Sequence, residues 1–145
     1  MTHEDKGHYA KKHPADLQVK QEIGEAVQAK ASEQKISCAA AFSIVEKLNV
    51  TPMEVGAAVD AGEISIIKCQ LGLFGHGPDK KAIKPADKVP QDLEQAIRDV
   101  LRNNKLACKD AWDLAERFGM KKMDISSVCE TLQIKIFSCQ LGAFS

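Results

Sequence analysis

The chain has 145 residues, of which 44% are hydrophobic and only 5% aromatic, so its core must be built mainly from Ala, Ile, Leu and Val. Its 20 basic and 20 acidic residues balance, which counts against the basic excess of strong non-specific nucleic-acid binding. No apolar run reaches the roughly 20 residues that a membrane-spanning helix needs, and residues 1–12 lack the apolar segment of a secretory signal. The expected location is the cytoplasm, where the five cysteines are expected as thiols or metal ligands.

Two helices are predicted in the first third of the chain, after a polar segment. Residues 1–15 are expected to form a flexible tail, because they contain little that a core could bury. Apolar residues then recur at intervals of three and four, which predicts an amphipathic helix over residues 16–33. Ser37 is a favourable N-cap residue, so the alanine-rich segment Cys38–Leu48 is predicted to be the second helix.

The third helix has the most specific start signal in the sequence. Thr51, Pro52 and Glu54 place a capping threonine, a proline and a glutamate at the positions of a capping box. This helix is predicted to run to about residue 61 and to end at Gly62 in a left-handed conformation. β-branched residues with partial alternation then predict a short strand over residues 64–69.

Residues 75–90 are predicted to form an extended linker. They contain two glycines and three prolines, and four lysines against two aspartates give them a net charge of +2. A solvated spacer is the preferred interpretation, and contact with a phosphate backbone is the alternative. After the linker, helices are predicted over residues 91–103, 108–118 and 122–132, and a strand over residues 134–139.

The two halves of the chain are copies of one another. A shift of 70 positions aligns residues 36–75 with residues 106–145 without a gap, and 11 of the 40 positions are identical. Five identities fall within a shared Cys-Gln-Leu-Gly-x-Phe signature, which chance does not readily produce. The sequence therefore predicts two tandem units, residues 16–74 and 91–145. The identical pairs are Cys38/Cys108, Ala41/Ala111, Glu46/Glu116, Met53/Met123, Ile64/Ile134, Ile66/Ile136, Cys69/Cys139, Gln70/Gln140, Leu71/Leu141, Gly72/Gly142 and Phe74/Phe144.

The shared signature is interpreted as a closing turn that follows each strand. Gly72 and Gly142 can reverse the chain at positive φ, and Leu71 and Leu141 can then fold back over the core. A small binding site lined by the two signature glutamines is the alternative.

Each predicted unit ends in a single strand, and a lone strand cannot satisfy its own backbone hydrogen-bonding groups. We therefore expect the two strands to pair with each other, antiparallel, across a pseudo-two-fold axis. Pairing between two chains of a homodimer is the alternative. The expected fold class is mainly α, with two tandem three-helix units that are each followed by one short strand.

The second unit carries a residue pattern known from DNA-binding proteins. Ala115 supplies a small residue facing a turn, Gly119 lies in the turn, and Ile125 and Val128 supply branched apolar residues that point inward. This segment resembles the helix-turn-helix superfamily, and the strand after it resembles a reduced winged-helix form. The resemblance implies DNA binding, although a fold alone does not fix a function. In the first copy the same places hold Val45, Asn49, Val55 and Ala58.

In helix-turn-helix proteins the helix after the turn enters the major groove. In the second copy, lysines at the start of this helix can contact phosphates, and serines can bond base edges. In the first copy the same surface carries Glu54, Asp60 and Glu63 and no base, so DNA contact is expected of the second copy. The candidate DNA-binding residues are Lys121, Lys122, Ser126, Ser127, Arg98 and Arg102.

Each copy has one cysteine at the start of its second helix and one at the end of its strand. Buried thiols that pack as small hydrophobic groups are the preferred interpretation. The alternative is a metal site with four thiolate ligands, although the usual close Cys-x-x-Cys spacing is missing. Cys129 has no counterpart and is expected in the core. The four candidate metal ligands are Cys38, Cys69, Cys108 and Cys139.

No catalytic triad, Cys-His pair or phosphate-binding glycine loop is recognisable in the sequence, so neither an enzyme nor a cofactor is expected. Three functions remain. The first is a DNA-binding or transcription-regulatory protein with double-stranded DNA as its partner. The second is a protein-interaction or assembly module that binds another protein or a second copy of itself. The third is a cysteine-based metal or redox sensor. No membrane partner is expected.

Overall fold

A computed structural model of the chain describes residues 20–76 and 83–145 and confirms a mainly helical fold with short strands. The predicted tail, residues 1–15, lies outside the described residues, and so does the middle of the predicted linker. In the part of the chain that is described, no helix is both long enough and apolar enough to cross a membrane. The elements are α1 Gln21–Lys30, β1 Lys35–Ser37, α2 Cys38–Leu48, α3 Pro52–Ala61, β2 Ser65–Ile67, α4 Gln91–Asp99, β3 Lys105–Ala107, α5 Cys108–Arg117, α6 Lys122–Leu132 and β4 Lys135–Phe137.

The expected antiparallel pairing of the two predicted strands is wrong. β2 pairs in parallel with β1, with Ile36 opposite Ile66, and β4 pairs in parallel with β3, with Leu106 opposite Ile136. Each pair joins the ends of one β-α-α-β segment, so each strand has its pairing partner within its own copy. The prediction failed because β1 and β3 have only three residues each and no strand pattern that could mark them beforehand.

A tight turn precedes each of these unpredicted strands and shortens the helix before it. In residues 32–35 the two end residues exchange backbone hydrogen bonds of 2.8 and 2.9 Å, and both central residues have positive φ, as in a type I′ turn. Residues 102–105 form the same turn, with Asn103 and Asn104 at its centre. The predicted helices over 16–33 and 91–103 therefore end earlier, at Lys30 and Asp99.

The left-handed backbone positions recur at the 70-residue interval of the sequence repeat. Such positions are costly for residues other than glycine, so a fold does not adopt them without a specific geometric need. The predicted left-handed Gly62 is wrong, because its φ is −84° and the left-handed residue is the next one, Glu63. The recurring pairs are Glu33/Asn103, Gln34/Asn104, Asn49/Gly119, Glu63/Gln133, Lys68/Ser138 and Gly72/Gly142.

The two predicted N-caps of the first copy, at Ser37 and Thr51, are confirmed. The Ser37 hydroxyl accepts a hydrogen bond from the Ala40 N–H at 3.1 Å. At α3 both halves of the capping box form: the Glu54 N–H donates to the Thr51 hydroxyl at 3.1 Å, and the Thr51 N–H donates to the Glu54 carboxylate at 2.8 Å. Lys121 precedes α6 and has no side-chain acceptor, so there only the Asp124 carboxylate contributes, at 3.3 Å from the Lys121 N–H.

Contacts divide the described chain into two compact units. The first consists of residues 20–69 together with Gln140–Phe144, and the second of residues 70–76 and 83–139 together with Ser145. Residues 70–74 and 140–144, here called the closing segments, thus belong to the unit that holds the helices of the other copy. The predicted limits, 16–74 and 91–145, place each closing segment with its own copy instead. The largest fully buried side chains are those of Ile23, Val27, Ile36, Ile44, Ile64 and Leu141 in the first unit and of Leu71, Leu93, Ile97, Leu106 and Ile125 in the second.

Candidate functional site

The residues on which the helix-turn-helix resemblance rests lie in two places in each unit. One residue lies in the turn between two helices, and the apolar residues of the following helix lie in the core. Asn49 and Gly119 have φ values of 53° and 64° between the two helices, as their positions in the sequence predict. In the second unit the Met120 N–H donates to the carbonyl of Ala115 at 2.8 Å and closes the turn. Four apolar residues on the following helices are buried, namely Val55, Ala58, Ile125 and Val128.

The two serines of α6 differ in exposure, because Ser126 is buried and Ser127 is half-buried. Ser126 is only 1% exposed, and its hydroxyl has no hydrogen-bond partner among residues 20–76 and 83–145. The Ser127 hydroxyl donates to the carbonyl of Met123 at 3.1 Å, and the carbonyl of Ser127 accepts the N–H of Ala86 at 3.0 Å. This face of α6 is therefore occupied by the fold itself.

The two arginines predicted to contact DNA lie beside acids. The Arg98 guanidinium is 2.9 Å from the Glu94 carboxylate one helical turn earlier. The Arg102 guanidinium is 3.8 Å from the carboxylate of Asp110. Of the two candidate lysines, the exposed Lys121 has no ion pair among the described residues, whereas the ammonium of Lys122 lies 4.6 Å from the centre of the Trp112 ring. Both arginines therefore have an acidic partner.

The acidic surface expected on α3 is smaller than predicted. Asp60 is only 1% exposed, so it belongs to the interior of the first unit. Glu54 is partly exposed at the start of α3, and its carboxylate lies 3.6 Å from the ammonium of Lys20. The hydrogen bond from the backbone of Thr51 lowers the pKa of the Glu54 carboxyl, and the charge of Lys20 lowers it further.

Each closing segment turns at its glycine as expected, but it lies beside a helix of the other copy. Gly72 and Gly142 have φ values of 76° and 83°, which confirms the predicted positive φ. A Cβ atom on Gly72 would lie 3.3 Å from Met123 of α6, and one on Gly142 would lie 3.7 Å from Met53 of α3. The segments therefore lie beside equivalent methionines of the two units.

A pocket of about 310 Å³ lies beside the turn between α5 and α6, in the second unit. Its wall is formed by Trp112, the sole tryptophan of the chain, together with Ala115 and Met120. Asp113, Glu116, Lys121 and Lys122 add charges of both signs. Sequence reasoning singled out the two lysines but missed the tryptophan. The signal was available, because the equivalent positions of the first copy are Phe42, Ser43, Val45, Glu46, Val50, Thr51 and Pro52, with no tryptophan and no lysine.

A wider groove of about 580 Å³ lies between α1 and α3 in the first unit, with small residues such as Ala58 and Ala61 along it and Lys20 at one end.

In the second unit the end of the predicted linker packs on α6. The N–H of Ala86 donates to the carbonyl of Ser127, and the carbonyl of Ala86 accepts a hydrogen bond from the Thr131 hydroxyl at 2.7 Å. Ala86 is therefore held on α6, while its neighbours Lys84, Pro85, Asp87 and Lys88 are exposed.

The cysteines mostly behave as buried thiols. Cys38, Cys69, Cys108 and Cys129 are buried, and Cys139 is half-buried. Burial raises the pKa of the Cys129 thiol to about 12, with a smaller contribution from Glu130. Within the described ranges no three His, Cys, Asp or Glu side chains converge in a way that could hold a metal ion. The proposed four-cysteine ligand set is therefore not assembled there.

Comparison with known proteins does not assign the chain to a family. It matches no protein-family model, and no curated protein and no solved structure is significantly similar to it.

Proposed function

We propose that the protein is a non-catalytic protein-interaction or assembly module. The observation that carries the proposal is the pairing of Arg98 with Glu94 and of Arg102 with Asp110, since both arginines were expected to contact DNA. A surface on which acids and bases alternate suits a protein partner, because complementary charges on that partner can match it and fix the register of the complex.

The same pairing argues against duplex DNA as the partner. DNA affinity comes largely from unpaired cations that neutralise phosphates and release counterions. If the two arginines approached the phosphates, Glu94 and Asp110 would approach with them, and their negative charges would repel the duplex. The helix that would enter the groove also lacks one of its expected reading groups, because Ser126 is buried.

The first unit offers an apolar contact point for a partner. Met53 is 56% exposed at the start of α3, where it lies against Gly142 of the closing segment. Met side chains are flexible and polarisable, which suits them to adaptable protein contacts. Thr51 and Glu54 flank it with polar groups.

A site-specific photo-crosslinker at position 53 tests this proposal in cells. We expect one adduct of defined mass, and we expect Met53→Glu to weaken binding of the same partner after purification. The matched control is the crosslinker at Ala29, an exposed residue of α1 in the same unit. Identical adducts at both positions, or none at position 53, would contradict the proposal. Duplex binding that is tight at low salt and falls steeply with added salt would favour DNA instead.

A further inference from the structure

The pocket beside Trp112 is of a different kind from the contact point at Met53. It is a concave site with an apolar wall, and its volume of about 310 Å³ is at the lower end of the roughly 300–1,000 Å³ typical of small-molecule sites. A ligand that fills it has the size of a small metabolite.

The charges around the pocket are not all available to a ligand. Asp113 is 3.2 Å from the ammonium of Lys109, so its charge is offset. Lys122 lies over the Trp112 ring, in a cation–π contact. Glu116 and Lys121 are exposed, and neither has an ion pair among the described residues. The pocket therefore presents one carboxylate and one ammonium group that form no ion pair with the residues the structure describes, next to an aromatic wall.

We propose that this pocket binds a zwitterionic α-amino acid with an apolar side chain. The ligand's carboxylate pairs with Lys121, its ammonium group pairs with Glu116, and its side chain packs against Trp112 and Met120. Each part of the ligand meets a group of matching chemistry, whereas an anion alone would leave Glu116 to repel it and a cation alone would leave Lys121 to do so. The proposal does not depend on the interaction surface at Met53.

Comparison of the two copies indicates that only the second copy has the residues for this amino-acid site. The first copy has Glu46 where the second has Glu116, but it has Thr51 in place of Lys121 and Phe42 in place of Trp112. It therefore lacks the cation that would hold the carboxylate. The scaffold is shared between the copies, and the pocket chemistry belongs to one of them.

The sole tryptophan makes the test direct, because its fluorescence reports on this pocket. Four probes separate the two charges: L-leucine, leucinamide, N-acetylleucine and N-acetylleucinamide. We expect a saturable fluorescence change with leucine up to about 10 mM, ten times a millimolar dissociation constant. Blocking either charged group should weaken binding roughly tenfold or more, as expected for a hydrogen bond to a charged group.

Variants then assign each charge to its residue. Lys121→Met should abolish the preference for leucine over leucinamide, and Glu116→Gln should abolish the preference for leucine over N-acetylleucine. Lys105→Met changes an exposed lysine of the same unit outside the pocket and should change neither preference. Circular dichroism checks that each variant is folded.

Three results would overturn the proposal. The first is an unchanged fluorescence with leucine over the whole range. The second is equal binding of leucine and its doubly blocked form. The third is equal binding of leucine and N-acetylleucine, which would assign the pocket to the carboxyl terminus of a peptide.

Discussion

Gly56 of α3 lies directly against the backbone of Leu141, so closely that a Cβ atom at position 56 would overlap the Leu141 carbonyl oxygen and lie 2.7 Å from its carbonyl carbon. Gly56 is buried, and Leu141 is only 1% exposed. The closing segment 140–144 therefore packs against α3 at a position where only glycine leaves enough space.

Gly56→Ala should therefore destabilise the protein, by about 1–3 kcal/mol as expected for overpacking against backbone that cannot move aside cheaply. Gly24→Ala is the matched control in α1, since a Cβ atom there meets nothing within 4 Å. That change should instead stabilise the helix by about 0.5–1 kcal/mol. Urea unfolding curves measure both free energies, and a neutral Gly56→Ala would show that the contact is not a constraint.

Removal of residues 140–145 should weaken the first unit and spare the second, because the closing segment belongs to the first. Loss of the buried Leu141 side chain alone should cost about 2 kcal/mol. Hydrogen exchange should then show lower protection of α1 and α3, with little change in α4 to α6. Deletion of Ser145 alone, an exposed residue assigned to the second unit, is the control. Equal loss of protection in both units would contradict this assignment.

The features that could be predicted from the sequence are those that rest on neighbouring residues. The capping box of Thr51 and Glu54 was predictable because its two hydrogen bonds join residues three apart. The pairing of β1 with β2 was not, since those strands are about 30 residues apart and β1 has three residues. No local pattern specifies such a pairing.

Burial of Ser126 could have been predicted from the repeat, although the helix-turn-helix interpretation placed this residue on the DNA-reading surface. Ser126 aligns with Gly56, and a glycine inside a helix marks a place where another part of the chain comes close. Alignment of the two copies predicts a buried position there rather than a base-reading one. The pocket at Trp112 depends on how α5 and α6 pack, and the sequence indicates only that the copies differ at that point.

Glu54 should make the protein more sensitive to acid. Its folded pKa lies below the ordinary value of 4.5, chiefly because the Thr51 N–H donates to the carboxylate. A carboxyl group whose pKa is lowered by folding stabilises the fold above that ordinary value, and the contribution is lost as pH falls through the folded pKa. Glu54→Gln should therefore lose less stability than the parent protein between about pH 5 and about pH 3.

Thermal unfolding across this pH range measures the effect. Glu22→Gln, which neutralises an exposed glutamate of α1, is the control and should follow the parent profile more closely. Parallel profiles for Glu54→Gln and the parent protein would contradict the assignment of this acid sensitivity to the capping box.

The cysteines should differ in their reactivity with iodoacetamide. Only the thiolate reacts, and burial raises the pKa of Cys129 to about 12, so this thiol is almost entirely protonated at neutral pH. Cys139 is the one half-buried cysteine of the five. At about pH 8 we expect Cys139 to be alkylated first and Cys129 to react only on unfolding. Mass spectrometry of timed digests gives the order, and early modification of Cys129 would contradict the burial argument.

Thr131 should hold the end of the linker on α6, because its hydroxyl donates to the carbonyl of Ala86 at 2.7 Å. Thr131→Val keeps the shape of the side chain and removes the donor, so we expect a loss of about 0.5–1.5 kcal/mol. Exchange of the Ala86 amide, which donates to Ser127, should speed up as the linker detaches. Thr131→Ser keeps the hydroxyl and should preserve protection of that amide. If both variants exchanged alike, the methyl group rather than the hydrogen bond would hold the linker in place.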